Sequence, residues 1–327
     1  MVRLPSVPPK FWLLALTIVG LATTVGVIIW RFRPAQPTSV DRVFQSNGKV
    51  FFGTASDQER LIVPQDAAIT TSDFGAVTPE NSMKASAWEV IEPVRNAFDF
   101  TASDYLVNWA GEHGKKIRGH TFVWDESLPS WVSSIMDPPT LTAVLQNHIR
   151  QIMTRYKGKL YSMDVVNEHI ADDGSIKSTH WTRVLGNNVF TLAFQTAREV
   201  DPTVKLYINE NSLETNGAKV RGIIQLVKSI NKNGELVDGI GSQTHLWATQ
   251  LVQPALAALS SAGVDLAITE LDIVYAAASD YLTVVNACIA VPRCVSITVW
   301  GVRDPDSWRA SKDPLLFDKN WQPKYAL

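Results

Sequence analysis

The sequence has almost no net charge, and this shortage limits what the protein can bind. Its 327 residues carry a formal net charge of −2, and the body of the chain contains no basic run. We therefore expect no nucleic-acid partner, because proteins that bind nucleic acids present clustered lysine and arginine. The sequence also lacks histidine, cysteine and carboxylate residues at metal-ligand spacing, so we expect no metal and no other cofactor.

Cysteine is equally scarce. Cys288 and Cys294 are the two cysteines of the chain, and they lie close together in the sequence. They are either two unpaired buried thiols or a disulfide that closes a short loop. An export segment near the N-terminus favours the disulfide, because disulfides persist in oxidising compartments.

Charge is also missing from residues 11–30, and this apolar run is long enough to span a bilayer as a helix. Trp12 and Trp30 lie at its ends, where interfacial aromatic residues belong. No clear cleavage site follows, so we favour an uncleaved signal-anchor over a cleaved signal peptide. Both alternatives predict an extracellular protein, either secreted or anchored in the membrane through residues 11–30.

The chain divides by composition into three parts. Residues 1–33 contain the export segment, residues 34–42 form a linker, and residues 43–327 form one globular domain. An apolar content of 46% is enough for a large core.

Within this domain short apolar runs alternate with amphipathic segments. The runs predict strands at residues 50–54, 74–78, 117–122, 161–168, 204–209, 237–243, 266–270 and 295–300. The amphipathic segments predict helices at residues 103–113, 141–156, 189–200, 218–231, 254–262 and 281–290. We therefore predict an α/β fold, a single (β/α)8 TIM barrel preceded by an N-terminal apolar helix. An open doubly wound sheet is the alternative, although no Gly-rich phosphate turn follows the first strand.

Polar and aromatic side chains follow the carboxyl ends of most predicted strands. They are Asn81, Lys84, His120, Trp124, Asn167, Glu168, Asn209, Glu210, Gln243, His245, Glu270, Asp272, Trp300 and Trp308. Active sites of (β/α)8 barrels lie at that end of the strands. Two carboxylates on separate strand ends, Glu168 and Glu270, are what glycoside hydrolysis requires. Indoles that pack on sugar rings, and amides that bond hydroxyls, agree with a carbohydrate substrate.

Taken singly, these residues also have structural explanations. A carboxylate such as Glu168 is favoured at the start of a helix, and a lysine such as Lys84 is usually solvated surface. Glu270 follows an unbroken apolar run, where an unpaired charge is costly, and this favours a functional role.

Six ordered motifs resemble those of glycoside hydrolase family 10, the endo-β-1,4-xylanases. They are VTPENSMK at 77–84, RGHTFVW at 118–124, DVVNE at 164–168, GIGSQTH at 239–245, ITELDI at 268–273 and TVWGVRDPDSW at 298–308. The resemblance implies that residues 43–327 are a catalytic domain acting on xylan and xylo-oligosaccharides. It also implies that Glu168 is the acid/base, that Glu270 is the nucleophile, and that Cys288 and Cys294 are bridged.

The same resemblance implies a set of sugar contacts at the glycone side of the cleft. These residues are Asn81, Lys84, His120, Trp124, Asn167, Gln243, His245, Trp300 and Trp308. We add Asn209, at the end of the fifth predicted strand, as a further substrate-binding residue. His245 is expected to keep Glu270 ionised.

The chain departs from the family pattern at several positions. Asp125 stands where histidine is common, Met163 stands where tryptophan is common, and Glu210-Asn211-Ser212 replaces Asp-Tyr-Asn. The sequence ends where the family continues into a closing helix, so we expect exposed apolar surface there.

The alternatives to a xylanase are a β-1,4-glucan or aryl-glycoside hydrolase of the same fold, and a non-catalytic carbohydrate-binding barrel. We expect a monomer.

Overall fold

The computed structural model describes residues 39–84, 88–126, 128–249, 251–275 and 277–324. The predicted apolar helix at residues 11–30 lies outside these described residues. Among them, no helix is both long enough and apolar enough to cross a membrane.

Within the described ranges, eight parallel strands close into a barrel. They are β1 (Phe51–Ser56), β2 (Ala76–Pro79), β3 (Lys116–Val123), β4 (Ser162–Asn167), β5 (Lys205–Glu210), β6 (Gly239–Ser242), β8 (Asp265–Ile273) and β9 (Cys294–Val299), while β7 (His245–Leu246) is a short strand paired with the end of β8. β6 pairs with β8 and β9 pairs with β1, so the eight barrel strands close on themselves. The predicted (β/α)8 barrel is confirmed, and the open-sheet alternative is wrong.

Helices cover the outer face of the sheet. They are α1 (Val40–Ser46), α2 (Gln58–Leu61), α3 (Pro64–Asp73), α4 (Trp88–Ile91), α5 (Thr101–Glu112), α6 (Ser130–Ser133), α7 (Pro138–Arg155), α8 (His180–Leu185), α9 (Asn188–Val200), α10 (Ala218–Ile230), α11 (Val252–Leu259) and α12 (Ala278–Ala290). The six predicted helices are confirmed within a few residues. Six further helices had no predicted counterpart: α1, α2, α3, α4, α6 and α8. All of these except α3 have four to seven residues. The few apolar side chains of α3 make a weak helical pattern, and Pro64 at its first turn pre-organises the backbone.

α7 illustrates why the helices form where they do. Asp137 caps it by accepting a hydrogen bond from the backbone N–H of Thr140 at 2.9 Å. Leu141, Leu145 and Ile149 recur at helical spacing and are fully buried. The strands are buried on both faces, which is why they appear in the sequence as apolar runs.

In the part of the chain that the structure describes, no α-helix follows β9. Residues 300–324 form turns and two short 3-10 helices, Asp304–Asp306 and Ala310–Lys312. An apolar groove of about 160 Å³ lies between α1 and α12, and Phe44, Tyr281 and Leu282 contribute to its lining. Apolar surface is thus present on this side of the barrel.

Cys288 in α12 and Cys294 at the start of β9 form a disulfide, so the predicted bridge is confirmed. The Lys49 Nζ donates hydrogen bonds to the carbonyl oxygens of Val291 at 3.1 Å and of Cys294 at 2.7 Å. These contacts lie at the amino-terminal end of β9. They stabilise the end of the barrel that is opposite to the carboxyl ends of the strands.

Candidate active site

A cleft of about 570 Å³ lies at the carboxyl ends of the barrel strands. Its volume falls within the range of about 300–1,000 Å³ that ligand sites occupy. Of the predicted site residues, the lining contains Asn81, Lys84, His120, Trp124, Asn167, Glu168, Gln243, His245, Glu270, Trp300 and Trp308. The structure adds residues that were not predicted: Glu80, Glu126, Asn211, Ser212, Glu214 and Arg309.

Glu270 lies near the carboxyl end of β8 and is almost completely buried. Its Oε1 accepts a hydrogen bond from Asn209 Nδ2 at 2.8 Å, and its Oε2 lies 3.2 Å from His245 Nε2. Burial raises the pKa of Glu270, but the hydrogen bond with His245 and the charges of His120 and Lys84 outweigh burial and lower the pKa to about 2. Glu270 is therefore ionised at ordinary pH.

His245 connects Glu270 to a second carboxylate, Asp272. Its Nδ1 lies 2.8 Å from Asp272 Oδ2. Burial lowers the pKa of His245, but the hydrogen bonds to Asp272 and Glu270 raise it to about 9. Asp272 also accepts hydrogen bonds from Trp308 Nε1 at 2.8 Å and from Arg309 at 3.1 Å. The histidine is thus a cation held between two carboxylates.

Glu168 follows the last residue of β4, and its backbone has the left-handed φ of 61°. A non-glycine residue in this region carries strain of about 1–3 kcal/mol. Gln243 Nε2 donates to its Oε1 at 2.6 Å, and Trp124 Nε1 donates to its Oε2 at 3.0 Å. The turn therefore directs the carboxylate into the cleft, where two neutral donors orient it.

Asn209 does not line the cleft; the structure places it, fully buried, beneath the cleft floor. Its Nδ2 donates to Asn167 Oδ1 at 2.9 Å and to Glu270 Oε1 at 2.8 Å, and its Oδ1 accepts from Thr269 Oγ1 at 2.6 Å. Both amide hydrogens are therefore used within the protein. By contrast, the buried Asn167 Nδ2 has no hydrogen-bond partner among the described residues.

His120 is oriented from below by buried charges. Its Nδ1 lies 3.0 Å from Asp164 Oδ2, and Arg118 pairs with the same carboxylate. Above it, the Lys84 ammonium lies 5.6 Å from the centroid of the Trp124 ring and 5.4 Å from that of Trp300. A cation in this position is attracted by both indole faces. These contacts form one wall of the cleft.

The opposite wall contains the segment that departs from the family pattern. Glu210 is buried and accepts from the backbone N–H of Ile170 at 2.8 Å and from Lys219 Nζ at 3.1 Å. Lys219 also donates to Asn211 Oδ1 at 2.6 Å. Asn211 and Ser212 consequently present an amide and a hydroxyl to the cleft, where the family pattern has an aromatic ring.

The other two departures do not enter the cleft. Asp125 Oδ1 accepts from the backbone N–H of His180 at 2.7 Å, at the start of α8. Met163 is fully buried, and its sulfur occupies the space beside Gly119.

Two residues with direct contacts to the site had no role assigned from the sequence. Asp272 lies two positions after Glu270 on the same strand, and this spacing places both side chains on one face. This spacing in the sequence could have identified Asp272 as a neighbour of the site. Arg309 lies in the loop after Trp308, and no periodicity marks a loop residue that folds back onto a strand end.

Residues 39–327 match the model of glycosyl hydrolase family 10. The chain belongs to this family. Endo-1,4-beta-xylanase 2 of Claviceps purpurea is 47% identical to this family 10 chain over 293 residues, covering 89% of each protein. Endo-1,4-beta-xylanase 3 of Hypocrea jecorina (strain Rut C-30) is 44% identical over 302 residues, covering 91% of this chain and 86% of the relative.

Solved structures agree with this family 10 assignment. The crystal structure of xylanase 10B from Thermotoga petrophila RKU-1 in complex with xylobiose superposes with a TM-score of 0.80 at 28% identity, covering 89% of this chain and 95% of that one. The family resemblance inferred from the six motifs is confirmed.

Proposed function

We propose that this protein is a retaining endo-1,4-β-xylanase that hydrolyses xylan and xylo-oligosaccharides. The observation that carries the proposal is the carboxylate pair Glu168 and Glu270, held in one cleft of a family 10 barrel by two separate sets of hydrogen bonds. The names of the relatives support the substrate class.

In the first step Glu270 attacks the anomeric carbon of the bound sugar. Its low pKa keeps it ionised, so it is available as a nucleophile. The bond to the leaving oxygen breaks as Glu168 donates its proton to that oxygen, and a covalent glycosyl-enzyme forms on Glu270. This geometry requires the two carboxyl groups to lie about 5–5.5 Å apart.

In the second step Glu168, now a carboxylate, removes a proton from a water molecule. The water oxygen attacks the anomeric carbon from the side that the leaving group vacated, and the bond to Glu270 breaks. The two inversions give net retention of configuration.

The remaining cleft residues select and position the sugar. Asn167 Nδ2, which has no hydrogen-bond partner in the described part of the chain, donates to the 2-hydroxyl of the reacting sugar. We assign Trp300 and Trp308, which both line the cleft, to the position next to C5 of the glycone sugar, where their bulk would disfavour a hydroxymethyl group and so favour xylose over glucose. Asn209 is a positioning residue rather than a substrate contact, because both of its amide hydrogens hold Asn167 and Glu270.

Substitution of each carboxylate tests the proposal. Glu270→Ala should abolish turnover of xylan, and azide should restore cleavage with formation of the inverted glycosyl azide. Glu168→Ala should lower kcat on xylan by about 10²–10⁴-fold, the usual contribution of a general acid. Glu112→Ala, on the outer helix α5, is the matched control. Wild-type turnover by either carboxylate variant would exclude the assignment.

Two measurements separate the alternatives. Comparing aryl β-xylobioside with aryl β-cellobioside distinguishes a xylanase from a β-1,4-glucanase, since the latter would prefer the cellobioside. Release of reducing sugar from xylan distinguishes an enzyme from a non-catalytic carbohydrate-binding barrel.

We also propose that residues 1–33 direct export and that residues 11–30 remain as an uncleaved signal-anchor. The predicted linker at residues 34–42 would then connect the anchor to the catalytic domain outside the cell, and its last residues belong to that domain, since α1 begins at Val40 and the family match begins at residue 39. The uncharged run and the disulfide support this arrangement. N-terminal sequencing of the exported protein tests it, because a terminus beyond residue 30 would show a cleaved signal. A domain of this kind acts as a monomer, which sedimentation would test.

A further inference from the structure

The strongly exposed aromatic side chains are concentrated in one place on the described part of the molecule. They are Trp247, Tyr275 and Trp308, whose exposed fractions are 71%, 61% and 59%. All three follow strands β7, β8 and β9 at the rim that carries the cleft. Single exposed apolar side chains are normal, but clustered ones mark interaction sites.

The strand register places two of these residues on neighbouring strand ends. His245 lies opposite Asp272 and Leu246 lies opposite Ile273 in the parallel pair β7–β8. The backbone N–H of Val274 donates to Leu246 O at 3.0 Å, which extends this pairing. Continuing this register places Trp247 opposite Val274, so Tyr275 lies one position further along the neighbouring chain, and both residues leave the sheet directly beyond the strand ends.

Tyr275 is also tied to the loop that carries Trp308. Its backbone N–H donates to the Lys312 carbonyl at 2.9 Å, and the Lys312 ammonium lies 5.4 Å from the centroid of its ring. Its φ is 52°, a left-handed value that strains the backbone of a tyrosine. The backbone is thus held in a strained turn that leaves the ring exposed rather than packed.

Only one of the three rings belongs to the cleft. Trp308 contributes to the cleft lining, whereas Trp247 and Tyr275 do not. We call these three exposed side chains on one rim the aromatic ridge: Trp308 lies at the cleft wall, and Trp247 and Tyr275 lie outside the cleft.

We propose that Trp247 and Tyr275 form an accessory binding platform for a polysaccharide chain, outside the catalytic cleft. The ligand is an extended β-1,4-linked backbone, whose pyranose rings present apolar faces to the two aromatic rings. This proposal rests on the proposed function, because the polymer bound there is the polymer cleaved in the cleft. A substrate that fills only the cleft does not reach the platform.

The platform is tested by separating polymer binding from cleavage of a short substrate. Trp247→Ala, Tyr275→Ala and the double variant are made in the full chain, in active and in Glu270→Gln backgrounds. Leu282→Ala removes an equally exposed apolar side chain, 59% exposed, from the outer helix α12 and is the matched control. Trp247→Phe keeps an aromatic face and should retain most of the binding.

In the inactive background, we expect the double variant to bind insoluble xylan about fivefold or more weakly than its parent, from the loss of two aromatic contacts. In the active background, KM on polymeric xylan should rise by a similar factor. The kcat/KM on aryl β-xylobioside should change by less than about twofold, the level of a surface substitution.

Unchanged binding to insoluble xylan would overturn the proposal. Equal losses on the polymer and on the aryl xylobioside would also overturn it, because they would show that the rings support the cleft. A concentration-dependent change in sedimentation of the parent that the double variant lacks would assign the ridge to self-association instead. Failure of the proposed function has a different signature, since the parent would then not cleave aryl xylobioside at all.

Discussion

At the scale of single residues, His245 and Glu270 stabilise each other's charged forms. The pKa of Glu270 is lowered to about 2 and that of His245 is raised to about 9. The nucleophile therefore stays ionised across the pH range in which the general acid must exchange a proton. Asp272 completes the arrangement by accepting the other ring hydrogen of His245.

Replacing His245 by asparagine should raise the pKa of Glu270, because a hydrogen bond and a positive charge are lost while burial remains. The acid limb of the pH profile of kcat/KM on aryl xylobioside should move upward relative to the wild type. His113→Asn, at the end of α5, serves as the control. An unmoved acid limb would show that His245 does not govern the ionisation of Glu270.

The same pair predicts how stability depends on pH. The folded-state pKa of His245 lies above its ordinary value of 6.5, so its stabilisation is complete below 6.5 and is lost as pH rises through about 9. The folded-state pKa of Glu270 lies below its ordinary value of 4.5, so its stabilisation is present above pH 4.5 and is lost as pH falls through about 2. The free energy of unfolding of the wild type, measured by urea denaturation, should therefore exceed that of His245→Asn by the largest amount between pH 4.5 and 6.5.

At the scale of elements, the barrel strands position the site through the residues that point inward. Gly241 in β6 lies against the Asn209 side chain of β5, and a β-carbon there would overlap Asn209 Oδ1 and meet Arg118 at 2.9 Å. Asn209 in turn orients Asn167 and Glu270. A glycine one layer below the cleft is thus linked to the geometry of the nucleophile.

Gly241→Ala should consequently reduce both stability and activity. Overpacking of a filled interior costs about 1–3 kcal/mol, and a small displacement of reacting groups costs up to about 100-fold in kcat. Gly111→Ala is a suitable control, because a β-carbon at that position in α5 meets no atom within 4 Å. Chemical denaturation and kcat on aryl xylobioside measure the two effects. Wild-type kcat in Gly241→Ala would contradict the link through Asn209.

The disulfide between Cys288 and Cys294 lies at the end of the barrel opposite to the cleft. It closes a loop with a sequence separation of 6 between α12 and β9. A loop this short predicts a stabilisation of about 2 kcal/mol by the chain-entropy model. Reduction should lower Tm by several degrees and leave KM unchanged, since the bond is remote from the cleft. Reductant should have no effect on the double variant Cys288→Ser, Cys294→Ser.

At the scale of the whole molecule, a ligand that binds only the folded barrel must raise its stability. A xylo-oligosaccharide at about 100 times its Kd should stabilise the Glu270→Gln variant by about 2.7 kcal/mol. Cello-oligosaccharides of equal length should raise Tm less, because Trp300 and Trp308 disfavour a hydroxymethyl group. Thermal denaturation with each ligand measures the difference. An equal shift with both would favour the glucanase alternative.

The sequence by itself determined the order of strands and helices. Burial on both faces requires apolar runs, and packing of one face requires helical spacing, so both leave a local signal. It also placed the two carboxylates and most of the polar residues at one rim. α3 escaped detection because its pattern is weak, and the pairing of Cys288 with Cys294 stayed one of two alternatives until the fold brought them together.

Only the tertiary structure decided what each rim residue contacts. Asn209 and Glu270 lie 61 positions apart in the sequence, and the barrel register brings their side chains into contact beneath the cleft. The same register places His245 between two carboxylates and leaves Trp247 and Tyr275 exposed on neighbouring strand ends. The physical reason is that hydrogen bonding and desolvation act over a few ångströms in space, and closure of the barrel sets those distances between segments that no local pattern connects.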